Sequence, residues 1–111
     1  MKLSENRGYL FPKIKLKLDV SNRSLMAKLD EEIEEVKASM DVYEAARMSV
    51  APNDRFAPCV ERMNALMELI DVMHVCESIL RFYGVDDEEY TDLINAVRLK
   101  NQMRGYYERT S

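Results

Sequence analysis

The sequence predicts an all-α protein, and three observations carry that expectation. Three long stretches free of internal Gly and Pro repeat apolar residues at helical spacing. Cap-type residues precede them and turn residues follow them. One short segment alternates like a strand, with no second strand to pair with. The expected architecture is a bundle of three main helices behind an extended N-terminal arm, with a four-helix-type core completed by dimerisation. Residues 1–20 form the arm and residues 21–111 the helical domain.

In the arm, KIKLKLDV places Ile14, Leu16, Leu18 and Val20 on one side and Lys13, Lys15, Lys17 and Asp19 on the other. This is expected to be an extended segment, or a short strand pairing across a dimer. Ser21 or Asn22 then caps a first helix over about 24–49. Leu25, Leu29, Ile33, Val36 and Met40 form its inner stripe. Ala51-Pro52-Asn53-Asp54 ends it. Pro58 opens a second helix that runs to about Tyr83, and Gly84 fits the left-handed position beyond its end. Asp86, with Glu89 three residues on, caps a third helix. Leu93, Ile94, Val97 and Met103 mark its inner face, and Gly105 ends it.

With 111 residues, the chain suits one domain of ordinary size. Sixteen basic and twenty acidic residues give a net charge of −4, so no nucleic-acid partner is expected. No apolar run has the roughly 18 residues of a membrane span, and the N-terminus lacks signal-peptide character. A cytoplasmic protein without a membrane partner is expected. Cys59 and Cys76 have no metal-type spacing and are read as free, small core residues. Core filling is the main use expected for the eight methionines.

The chemistry is expected where acids meet apolar helix faces. With Leu29 at zero and about 100° per residue, Glu32 falls about 60° and Glu35 about 120° to the same side. Glu31 and Glu34 fall nearly opposite the stripe. On the second helix, Glu68, Asp71, His74 and Glu77 recur at every third position, and the first three form a row through an otherwise apolar stretch. A bare carboxylate in a protein interior costs several kcal/mol or more unless it is paired. Nearby cations are few: Arg62 and Arg81 are the only ones on that helix. Divalent magnesium or manganese takes oxygen ligands and suits carboxylates at i, i+3 on facing helices. Glu32, Glu35, Glu68 and Asp71 therefore make a candidate four-carboxylate cage for Mg2+, with Mn2+ an alternative. Asp71-x-x-His74 also fits half of a di-iron motif, but that motif is needed twice and the chain holds one histidine. The preferred reading of His74 is a helix-flank residue bonded to a neighbour.

LDEEIEEV, MELIDVM and LKNQMRGYY together resemble the MazG-like all-α nucleotide pyrophosphohydrolases, over roughly Leu25 to Tyr107. The family pattern of E-E-x-x-E followed by E-x-x-D falls on Glu31, Glu32, Glu35, Glu68 and Asp71. The resemblance implies that Glu32, Glu35, Glu68 and Asp71 bind magnesium, and that Lys28, Lys100 and Arg104 hold substrate phosphates. It further implies hydrolysis of a nucleoside triphosphate to monophosphate and pyrophosphate; an uncoordinated carboxylate, Glu31 or Glu35, would take a proton from water, and a homodimer or homotetramer is expected from the apolar faces that three helices leave uncovered. The gap from Glu35 to Glu68 is longer than usual for the family, and there is no tryptophan to stack on a base. The alternative is a non-catalytic helical binding or regulatory module on the same scaffold.

Overall fold

The computed structural model describes residues 8–15, 20–49 and 59–108. Among them are three helices and no strand: α1 (Asn22–Arg47), α2 (Cys59–Phe82) and α3 (Asp87–Met103). Part of the expected strand and the whole Ala51–Pro58 turn lie outside the described residues. Residues 12–15 carry no regular secondary structure.

The helix ends follow local chemistry. Ser21 caps α1 in a reciprocal box: its hydroxyl accepts from the Ser24 N–H at 3.2 Å, and Ser24 Oγ accepts from the Ser21 N–H at 2.9 Å. Asp86 caps α3 by accepting from the Glu89 N–H at 2.8 Å. Gly84 turns the chain out of α2 at φ 77°, a conformation that disfavours side chains. Replacing Ser21 with alanine should lower stability by about 1 kcal/mol in chemical denaturation, with the helical circular dichroism of the native state preserved.

α1 and α2 are the helices whose backbones pack together among the described residues. They run antiparallel, because Leu25 and Lys28 meet Asp71–Ser78 while Ala38–Val42 meet Glu61 and Asn64. Ala65 is completely buried, and its small side chain suits a close approach of α1. The covered arc of α1 overlaps the expected stripe: Leu25 is buried and Leu29, Val36 and Met40 are half-buried, whereas Ile33 is 37% exposed and Glu32 is buried beside Leu25. The packed face thus extends about 60° from Leu29 to take in Glu32.

α3 buries no residue of its own. Leu93, Val97 and Met103, expected on its inner face, are exposed. The cysteines also differ from expectation: both are free, but both are exposed rather than in the core. The physical reason is shared, since the described helices do not form enough layers to cover every apolar face. The Cα radius of gyration of 17.6 Å exceeds the roughly 13 Å of a compact 100-residue domain. No described helix is long and apolar enough to cross a membrane.

The N-terminal segment covers the C-terminal half of α2. Glu77 is only 2% exposed and accepts from the Leu10 N–H at 2.8 and 3.1 Å, from the Phe11 N–H at 2.9 Å and from the Tyr90 hydroxyl at 2.8 Å. One buried carboxylate thereby joins residues 10–11, α2 and α3. Tyr9 adds a 2.6 Å bond to the Val85 carbonyl and an edge contact with Tyr90, and the Arg81 guanidinium lies 4.0 Å from its ring centroid. Gly8, at φ 101°, rests on Asp87, where an added Cβ would meet the Asp87 carboxyl at 3.0 Å.

Candidate carboxylate site

The row of polar residues along α2 divides among three tasks. Glu68 and Asp71 face α1, His74 borders a cavity at the α1–α2 seam, and Glu77 binds the N-terminal segment. The helical row drifts around α2, so each residue meets a different neighbour.

Glu32, Glu68 and Asp71 each place one carboxylate oxygen within 4.8 Å of the others. Glu32 is 7% exposed, Glu68 is half-buried and Asp71 is exposed, so the group runs from the helix interface to the surface. Glu32 Oε2 and Glu68 Oε2 are buried without a hydrogen-bond partner. An unsatisfied buried polar atom costs about 1–3 kcal/mol, and more when charged. The donor set is all oxygen, which suits a hard divalent cation.

Glu35 lies one turn beyond Glu32 and outside the group of three. It is nonetheless in its field: the charge on Glu32 first, and then the charge on Glu68, hold the Glu35 carboxyl above its ordinary range. Glu32 moves the opposite way, because its hydrogen bond from Lys28 favours the ionised form. Lys28 Nζ stands 2.9 Å from Glu32 and 3.9 Å from Glu31, and its own pKa is raised chiefly by the Glu32 bond. Glu31 is exposed.

Next to this group is a cavity of about 260 Å³ whose lining includes Ile14, Lys28, Glu32, Asp71 and His74. His74 differs from expectation: its Nε2 is buried without a hydrogen-bond partner, and its ring stacks on Phe11 with centroids 4.7 Å apart and an interplanar angle of 28°. A bond from His74 to a neighbour is the expectation from sequence, and neither Phe11 nor Glu77 carries a role there. The one available signal was Glu77 itself, the last acid in the i, i+3 row of α2.

Lys100 and Arg104 stand apart from the carboxylates. Both are exposed at the C-terminal end of α3, whose backbone does not approach α1 or α2, and the Arg104 guanidinium lies 5.9 Å from the Tyr106 ring centroid. No family model, curated protein or solved structure matches the chain.

Proposed function

We propose that the protein is a MazG-like, magnesium-dependent nucleoside triphosphate pyrophosphohydrolase. The observation that carries this reading is the meeting of Glu32, Glu68 and Asp71 across two antiparallel helices, with two buried carboxylate oxygens unpartnered. These three residues would hold Mg2+, or Mn2+, with Glu35 at the edge of the site. The cation, when bound, supplies charge neutralisation for phosphate oxygens.

The chain's own residues divide the remaining work. Glu35 is the better candidate for accepting a proton from water. Its carboxyl is raised toward the range useful for a base, whereas Glu31 lies out toward solvent beside Lys28. Lys28 lines the cavity and offers a point charge to the phosphate tail. Lys100 and Arg104 would join from a second copy of the chain, since α3 does not carry them to the carboxylates of its own protomer.

A homodimer or homotetramer has separate support. Met63, Leu66, Leu69, Ile70 and Met73 leave one face of α2 39–61% exposed. The N-terminal segment covers the continuation of that face at His74, Glu77 and Arg81, but none of the described residues covers the part before it. A second copy of this face is the proposed cover, and light scattering should give at least twice the 13.0 kDa chain mass.

The deciding assay is pyrophosphate release with Mg2+ across the common ribo- and deoxyribonucleoside triphosphates. At least one should be hydrolysed, and inactivity on all of them removes the enzyme. Thermal melting separates the enzyme from a binding module on the same scaffold. Mg2+ at a hundredfold excess over its Kd should contribute about 2.7 kcal/mol, raising Tm by about 10 °C or more. A module without the metal site would not respond.

A further inference from the structure

We propose that Lys28 is an exchangeable counter-ion that couples the two ligands of the carboxylate site. Without metal it balances part of the carboxylate charge, and in doing so it opposes entry of the divalent cation. Phosphate bound beside it takes up its charge and lifts that opposition. This rests on the pyrophosphohydrolase reading of the site and adds to it a rule of use: cation and phosphate each raise the affinity of the other.

The charges at the site are unequal. Glu32, Glu68 and Asp71 bring three carboxyl groups within 4.8 Å of one another. The Lys28 ammonium meets this group at Glu32, at 2.9 Å, and reaches Glu31 at 3.9 Å. One ammonium does not satisfy the group, since Glu32 Oε2 and Glu68 Oε2 stay buried without a hydrogen-bond partner. A divalent cation supplies more charge to the same carboxylates, but it arrives beside an ammonium already bonded to one of them. Like charges a few ångström apart repel strongly where the effective dielectric is low.

The two members of the ion pair differ in freedom. The Lys28 side chain is 52% exposed and that of Glu32 is 9% exposed. They stand one turn apart on α1, and such pairs with a solvated member are weak. Lys28 can therefore turn its ammonium away without unpacking the seam between α1 and α2, whereas Glu32 stays in the interface. The partner that can leave is the cation.

A destination for it lies alongside. Lys28 borders the cavity of about 260 Å³ together with Glu32 and Asp71. An ammonium has three N–H donors, and its exposed position leaves it open to a solvent-borne anion. A phosphate oxygen that accepts from Lys28 neutralises the charge that opposed the metal. By linkage, the bound metal favours phosphate by the same factor. The site thus fills with both ligands together, which favours a metal-bound nucleotide over either component alone.

Mn2+ affinity of the full chain, read by electron paramagnetic resonance, tests this. Lys28→Met removes the charge and keeps the length of the side chain. It should bind Mn2+ about tenfold more tightly than wild type. Lys28→Arg keeps the charge and should bind as wild type does. Lys37→Met removes an exposed α1 cation that pairs with Glu34 instead, and it should also match wild type. Inorganic phosphate, with its association with Mn2+ in protein-free buffer subtracted, should tighten Mn2+ binding about fivefold in wild type and not in Lys28→Met. If phosphate leaves wild-type Mn2+ affinity unchanged, or Lys28→Met binds Mn2+ no more tightly than wild type, the counter-ion role is overturned and the metal site stands. If none of these proteins binds Mn2+, both fall. The phosphate response is read on wild-type protein and does not depend on the folding of any variant.

Discussion

Asp71→Asn and Glu35→Gln are each expected to lower pyrophosphate release about 100-fold or more, with the helical circular dichroism near wild type. Asp71→Asn keeps the side-chain shape but removes an anionic ligand from the group of three, at an exposed position where folding does not depend on it. Glu35→Gln removes the proposed proton acceptor, whose contribution falls in the usual 10²–10⁴-fold range. Stability supplies a second signature. The Glu35 pKa is raised in the folded protein, mainly by the charge on Glu32. Protonation of Glu35 therefore favours the fold. That contribution is fully present below the ordinary value of 4.5 and is lost as pH rises through the higher folded value. A glutamine is neutral at every pH and keeps it. Glu35→Gln should thus melt no lower than wild type at neutral pH without metal, and the two should converge on acidification. A variant that is both inactive and markedly less stable would point to a structural role for Glu35.

Glu77→Leu should cause the largest loss of stability. Its carboxylate accepts from two backbone N–H groups and one phenol, and it is the least exposed ionisable group described. Hydrogen bonds to a charged group contribute about 1.5–3 kcal/mol each, but the three are not additive because they share one acceptor. A loss of about 3 kcal/mol is expected, lowering Tm by about 15 °C in a domain of this size. Tyr90→Phe removes one of the bonds and should lose about 1.5 kcal/mol. The Tyr90 phenol is pushed up to about 12, first by burial and then by Glu77, so it remains a donor across the working pH range. Hydrogen exchange at Leu10 and Phe11 should accelerate in Glu77→Leu. Unchanged exchange there would mean that the N-terminal segment is held by other contacts.

The parts of this protein legible in its sequence are those set by neighbours along the chain. Ser21, Gly84 and Asp86 mark helix ends through local hydrogen bonds and backbone preference, and each acts where expected. Helical spacing also singled out Glu32, Glu68 and Asp71, because acids among apolar residues leave a visible interruption. The rest depends on contacts far apart in sequence. The stripe through Leu29 is covered at Leu25, Leu29, Val36 and Met40, but apolar spacing alone does not place Glu32 inside the packed face, where α2 presents carboxylates and Ala65 to α1. Glu77 looked like another member of the acidic row. Its partners at residues 10 and 11 are 67 and 66 positions away, and no periodicity reports a bond to a backbone N–H. The exposure of Cys59 and Cys76 follows from the same source, since composition gives a residue's tendency to be buried but not the supply of covering layers.

The coordination of a cation by α1 and α2 together is tested most directly by crystals grown with Mn2+ and measured for its anomalous scattering. The expected result is one strong peak per chain, within bonding distance of the carboxylates of Glu32, Glu68 and Asp71. Crystals that contain Mn2+ at other positions and none among these three carboxylates would contradict it.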